Sequence, residues 1–175
     1  MNNLVMNNGS LIFDQASLQS FIRFAQHKLK FSAYLLWKLP SAWLAGVRLR
    51  SLSTEECVTS VPYRWLSQNP FNSTYFACLA MAGELSTGLP AIMFVSSTKK
   101  RVSMLVTNME ASYYKKATGL TLFTCTELPL LQAALERVLN NNTPETIVLH
   151  TEGRDKDGTL IASFAITWSF KSKSA

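Results

Sequence analysis

The chain alternates between two hydrophobic periods. Leu18, Phe21, Ile22, Ala25 and Leu29 recur at helical spacing, with Arg23, Gln26 and Lys30 on the other side. This predicts an amphipathic helix opening at Phe13-Asp14, with Asp14 as its cap and Phe13 packing on Leu18 as a hydrophobic staple. The Asn-rich residues up to about Ser10 predict a frayed end. Phe31 to Gly46, FSAYLLWKLPSAWLAG, is aromatic and broken by Pro40. It reads as a second short helix, a lid or an interface segment. Its Trp37, Trp43 and leucines also fit a membrane-surface helix, but its basic residues are sparse, which favours a core or dimer-covering role.

From Val47 the period becomes two. Val47–Leu52 and the β-branched Cys57–Val61 predict paired strands around a Ser53–Glu56 turn. Further strands are expected over Ala91–Val95, over Val102–Thr107 with an extension through Tyr114, and over Leu120–Thr126. Leu128–Asn140 reads as an amphipathic helix with Leu131, Leu135, Val138 and Leu139 on one side, capped by Thr126 and ended by the run Asn140 to Pro144. Thr146–Thr151 and Leu160–Phe170 form a hairpin turned by Asp157-Gly158.

The stretch Asn69 to Gly88, NPFNSTYFACLAMAGELSTG, lies at the centre of this order. Asn72, Ser73 and Thr74 are successive cap candidates, an apolar body follows, and Gly88-Leu89-Pro90 predicts a stop. Glu84 is the sole charge between Thr74 and Gly88. At about 100° per residue it shares a face with Ala77, Ala80, Thr87 and Gly88, with Met81 beside it. A helix apolar nearly all round is normally buried, so Glu84 is desolvated or lines a cleft, and either raises its pKa. The plainer reading is a surface Glu near a helix end, or one paired with a distant Arg or Lys.

Two strands, a buried helix, then further strands with one helical insertion describe an α+β fold, an antiparallel sheet wrapped on one long helix. At 175 residues, one domain is the default. Residues 1–46 are expected as an N-terminal helical extension packed on a domain over 47–175. Charged residues make up 16%, against a usual share of about a quarter. Such a surface points to an oligomer that covers part of it. The net charge of +6 suits acidic partners. The cations are scattered beyond Lys99-Lys100-Arg101 and Lys115-Lys116, which disfavours nucleic acid.

Cys57, Cys78 and Cys125 read as buried hydrophobes of a reducing compartment. The start lacks a signal-peptide pattern, and no apolar run approaches the 18 residues of a membrane span. The expectation is a cytoplasmic chain without stable membrane insertion. His27 and His150 stand at no metal-ligand spacing from Cys or carboxylate, and no phosphate-binding glycine loop is present.

The central residues carry a resemblance. In acyl-CoA thioesterases of the phenylacetate-pathway type, which have the hotdog fold, an Asn precedes a His-Gly-Gly turn that opens the central helix. An Asp or Glu follows about two and a half turns later. Asn69, Tyr75-Phe76-Ala77 and Glu84 stand at corresponding spacings. MEASYYKKA, Met109 to Ala117, is similar to that family's strand ending in an aromatic, a basic residue and Pro-Ala. DGTLIASFAITW resembles its closing strand. The likeness runs from Val47 to Phe170, with Thr126–Thr143 as an insertion, and points to a thioesterase-related branch carrying Asn-Ser-x-Tyr-Phe-Ala…Glu.

The resemblance implies an acyl-CoA thioesterase-like hydrolase with no cofactor, coenzyme A being part of the substrate. It implies a homodimer or homotetramer with the pocket shared between subunits. Glu84 would be general base or nucleophile, and N–H groups near Tyr75 and Phe76 would polarise the carbonyl. Asn69 would orient water or thioester, and Lys115 and Lys116 would meet the coenzyme A phosphates. Asn69 also reads as a turn residue before Pro70, and the two lysines as a solvated strand end. Tyr75-Phe76-Ala77 departs from the glycines that let backbone approach a substrate. That departure supports the alternative, a non-catalytic acyl-binding or scaffold protein on the same fold.

Overall fold

The computed structural model describes residues 12–173. Three helices come first: α1 (Gln15–Gln26), α2 (Lys28–Lys38) and α3 (Pro40–Ala45). Strands β1 (Arg48–Leu52) and β2 (Cys57–Val61), a 3₁₀ turn at Trp65–Ser67 and the central helix α4 (Phe76–Ser96) follow. Then come β3 (Val102–Tyr113), β4 (Thr121–Cys125), α5 (Leu128–Asn141), β5 (Glu145–Arg154) and β6 (Leu160–Ser172). The strands form one antiparallel sheet in the order β1-β2-β4-β5-β6-β3. Helix α4 lies against one face of it, packed on β2, β4, β5 and β6. This is the hotdog arrangement.

Asp14 caps α1 as expected, accepting the Ser17 N–H at 2.9 Å. Phe13 and Leu18 are both buried in the core cluster, where the Phe13 ring lies 5.4 Å from that of Phe94. The chain breaks at His27, whose extended backbone (φ −77°, ψ 95°) ends α1. Leu29 therefore leaves the stripe assigned to it and stands exposed on α2. Phe31 to Gly46 becomes α2 and α3, with Pro40 starting α3, where its missing N–H removes no helical bond. The residues before Ile12, including the stretch read as frayed, lie outside the described residues.

Helix α4 corrects two expectations. None of Asn72, Ser73 or Thr74 caps it: Asn72 takes a left-handed φ of 56°, Ser73 bonds Asn69, and Thr74 bonds the Ala117 carbonyl. The cap residue is Tyr75, without a side-chain bond. Nor does the helix stop at Gly88-Leu89-Pro90. It runs on to Ser96, and Ala91–Val95 is helix rather than strand. Pro90 removes one N–H, the donor to the Ser86 carbonyl. Burial holds the rest, since Ala91, Met93 and Phe94 are completely buried. A short continuous apolar run looks the same in a buried strand and a buried helix.

Helix α4 is 21 residues long with a mean hydropathy of 1.5 in its most apolar window, enough to cross a membrane. Yet 72% of that window is buried inside the fold. Helix α5 packs on β5, β6 and α4. Its Leu128, Leu131, Leu135 and Val138 are completely buried, each worth about 1.5–3 kcal/mol. Its cap position is Glu127, not Thr126. The Glu127 carboxylate reaches β5 instead, accepting the His150 N–H at 2.7 Å and meeting the His150 ring at 3.1 Å. The hairpin turn has Gly158 at φ 80°, as Asp157-Gly158 requires. Cys57 and Cys125 are register partners on β2 and β4, and all three thiols are free and buried.

Candidate active site

Asn69 builds the approach to α4. Its side-chain oxygen accepts from the Phe71 N–H at 3.0 Å, the Ser73 N–H at 3.3 Å and the Ser73 hydroxyl at 3.2 Å. That closes the loop before the helix. The Tyr75 N–H donates to the Ser67 carbonyl at 2.7 Å and so is not free to polarise a ligand. The next amides, of Phe76 and Ala77, have no protein acceptor among the described residues. These donors stand at the positive end of a long helix, where negative charge is favoured.

From that start a half-buried strip runs along α4 through Ala77, Ala80, Met81 and Glu84, while the other residues from Cys78 to Ala91 are buried. The wheel that grouped Ala77, Ala80 and Met81 with Glu84 thus describes the accessible side of the helix as far as Glu84, whereas Thr87 and Gly88, assigned to the same face, are buried. The Glu84 carboxylate has no hydrogen-bond or ion-pair partner among the described residues, while its backbone carbonyl accepts from the Thr87 hydroxyl at 3.0 Å. Burial, uncompensated by any cation, raises its carboxyl above the ordinary value of 4.5. Gly88 makes room for it. A Cβ there would stand 2.9 Å from Glu84 Oε1 and 3.0 Å from the Trp168 ring. Trp168 is fixed in turn, its indole N–H donating to the Thr87 hydroxyl at 3.0 Å.

Strand β3 forms the facing wall. Its pairing with β6 sets Met109 opposite Ile166, Ala111 opposite Phe164 and Tyr113 opposite Ala162. All three β6 partners are buried, so Met109, Ala111 and Tyr113 share the face turned towards α4. They are nevertheless exposed, because β3 is an edge strand lying beyond the cover of the helix. The Phe76 ring lies 6.3 Å from Tyr113, and Tyr113 lies 5.8 Å from Phe164, so an aromatic chain links helix start to core.

At the outer end of this wall is a cleft of about 330 Å³ lined by residues including Asn69, Phe76, Tyr113, Lys115 and Lys116. The Lys116 ammonium donates to the Phe71 carbonyl at 3.1 Å. Four of the residues singled out in the sequence therefore meet at one cleft. Tyr75 is next to it, its ring 4.7 Å from that of Phe76. Glu84 is not on it. Eight residues separate it from Phe76, about 12 Å along the helix axis. Met109, Ala111, Gly88 and Trp168 complete the site; they lie in stretches quoted from the sequence but were not singled out as site residues. Tyr113 lies in the quoted MEASYYKKA stretch. No group of three His, Cys, Asp or Glu residues able to hold a metal occurs among the described residues.

Known structures share this architecture. PA5026 of Pseudomonas aeruginosa, a protein of unknown function described as a probable thioesterase, matches with a TM-score of 0.68 and 16% identity, over 83% of this chain and 96% of its own. A protein of unknown function from Chlorobaculum tepidum matches with a TM-score of 0.69 and 10% identity, over 93% and 98%. Thioesterase HI1161 of Haemophilus influenzae matches with a TM-score of 0.60 and 9% identity, over 83% and 90%. At such identities the likeness speaks for the hotdog fold. No protein of curated function matches this chain in sequence. A family model, the domain of unknown function DUF4442, matches residues 27–170, from His27 just before α2 to Phe170 within β6. The chain therefore belongs to the DUF4442 family, on a hotdog fold shared with thioesterase structures.

Proposed function

We propose that the protein hydrolyses an acyl thioester, of the acyl-CoA type, as a homodimer that completes its site across two copies. The observation carrying this reading is the unpaired, half-buried Glu84 on the same open strip of α4 as the free Phe76 and Ala77 amides. A carboxylate about 12 Å from those amides is too far to activate water against a carbonyl they hold. Two copies meeting antiparallel along the uncovered face of β3 would set Glu84 of one beside the helix start of the other.

In the reaction, the Glu84 carboxylate takes a proton from water as the water oxygen attacks the thioester carbon. The Phe76 and Ala77 amides hold the oxyanion. Collapse breaks the C–S bond, and the leaving thiolate takes the proton from the Glu84 carboxyl, giving acid and free thiol and restoring the carboxylate. The alternative role for Glu84 is direct attack to form an anhydride that water then opens. Asn69 acts by holding the turn before the helix. Lys115 and Lys116 at the cleft mouth supply positive charge for coenzyme A phosphates. The three free buried thiols suit a reducing, cytoplasmic setting.

The test is thiol release from short, aromatic and long acyl-CoAs by wild type, Glu84→Gln and Phe76→Pro. Proline is tolerated at the first helical position and deletes the Phe76 donor. Each variant alone should be nearly inactive. Mixed and re-equilibrated, they should regain about a quarter of wild-type activity, since half of the dimers are mixed and each carries one intact site. Failure of the mixture to recover, with mixed dimers shown to form, would overturn the shared site.

A second reading rests on a specific observation. Tyr75 and Phe76 put two rings at the helix start, and the Tyr75 amide is already bonded to Ser67. Saturable acyl-CoA binding without thiol release would make the protein an acyl-binding member of the fold.

A further inference from the structure

Helix α2 has two apolar faces. Phe31 and Leu35 point inwards and are buried. Leu29, Ala33, Leu36 and Trp37 point outwards at i, i+4, i+7 and i+8, within an arc of about 100°. Leu29 is 79% exposed and Trp37 80%. The pattern continues on the neighbouring elements. Leu44 of α3 is 48% exposed, and Trp65 and Leu66 of the 3₁₀ turn are 80% and 50% exposed. These elements are joined: the Trp43 indole N–H donates to the Ser32 hydroxyl at 2.8 Å, and Arg64 donates to the Leu44 carbonyl at 2.9 Å. Together they set outward Trp and Leu on adjoining elements, beyond the scattered apolar residues normal for a protein surface.

The charge around these residues has one sign. Between Asp14 and Glu55 the chain holds no acidic residue but six cations: Arg23, Lys28, Lys30, Lys38, Arg48 and Arg50. Arg64 adjoins Trp65. None of these is ion-paired with a carboxylate among the described residues. On the same side of the fold, a cleft of about 360 Å³ is lined by Lys28, Arg48 and Arg50 together with the exposed Leu29 and the buried Phe31 and Leu35. Arg48 Nη1 donates to the Trp43 and Val47 carbonyls at 3.0 and 2.7 Å, and Arg50 Nε to the Ser60 hydroxyl at 2.7 Å. Both guanidiniums keep donors beyond these bonds.

We infer that the α2–α3 face docks peripherally on an anionic phospholipid bilayer. Trp37, Trp65 and the outward leucines enter the headgroup boundary, and the surrounding cations meet lipid phosphates. Amphipathic rings and long basic side chains suit that boundary, with apolar stems inside and polar ends in water. A convex helix needs no shape-matched partner on a lipid surface. A second copy is disfavoured, because two-fold pairing through this face would set cations against cations. The inference is independent of thioester hydrolysis.

Flotation of the full-length protein with phosphatidylcholine vesicles, with and without about one-third phosphatidylglycerol, tests it. Binding is expected only to the anionic vesicles, with a blue shift of tryptophan emission. It should fall roughly tenfold when salt rises from about 0.1 M to about 0.5 M. Leu36→Ser with Trp37→Ser, and separately the reversal of Lys28, Lys30 and Lys38 to Glu, should each lower it roughly tenfold with melting temperature unchanged. Equal partition to neutral vesicles, or full binding by both variants, overturns the proposal. So does equal binding to soluble polyglutamate, which would make the face an acidic-protein site. An oligomer lost in the Leu36→Ser, Trp37→Ser variant also overturns it, by assigning the face to a second copy.

Discussion

Desolvation of Glu84 disfavours its charged form in the fold, which links this residue to pH. A carboxyl raised above its unfolded value favours folding most below that value, here near 4.5. The contribution declines as pH rises from there to the folded pKa, and above it the fold carries the full cost of a buried charge. Glu84→Gln removes that cost. Thermal melts should show the variant more stable than wild type at about pH 7 and equal to it near pH 4. The same substitution should lower thiol release by roughly 10²- to 10⁴-fold, the usual contribution of a general base. A variant that is more stable yet inactive identifies a functional carboxylate, whereas a destabilised one would reveal a structural partner.

Gly153 makes a steric prediction of its own. A Cβ there would stand 2.5 Å from the completely buried Phe123 ring, so Gly153→Ala should cost about 1–3 kcal/mol in denaturant unfolding. Of these residues, Glu84 was legible in the sequence because an isolated charge in an apolar helix is conspicuous. The glycines were not, because their requirement comes from rings brought in by distant strands.

Helix α4 shows what element-scale reading misses. Gly88-Leu89-Pro90 has the composition of a stop, but burial of Ala91, Met93 and Phe94 carries the helix past it. Pro90→Ala would restore a donor to the Ser86 carbonyl while removing a little packing. Its effect on stability should stay within about 1 kcal/mol. Phe94→Ala, which empties a core position against Phe13, should cost about 3–5 kcal/mol in the same measurement. Strands β1, β2 and β4, helix α5 and the final hairpin were legible because their periods of 2 and 3.6 are local properties. Leu29 was not, because the break at His27 turns it outwards without disturbing the sequence spacing.

For the whole molecule, the uncovered inner face of β3 has the larger consequence. Met109, Ala111 and Tyr113 point towards the helix layer without being covered by it. Ala111→Arg should therefore block the proposed dimer, giving a monomer by light scattering and no thiol release, with the sheet intact by circular dichroism. A dimer that survives the substitution would move the interface elsewhere.

The sequence by itself determined the layer pattern, the single central helix and the placing of one carboxylate on its accessible strip. These follow from local periodicity and from the rarity of a charge among apolar residues. Tertiary structure decided which helix-start amides remain free, since Ser67 reaches Tyr75 only when the loop closes. It gathered Asn69, Phe76, Lys115 and Lys116 at one cleft that does not include Glu84, because the loop before α4 and the end of β3 meet only in the folded chain. It also left the inner face of β3 and the outer face of α2 apolar and uncovered. Burial depends on which strands and helices arrive over a residue, and that is a property of the assembled layers rather than of neighbours in the chain.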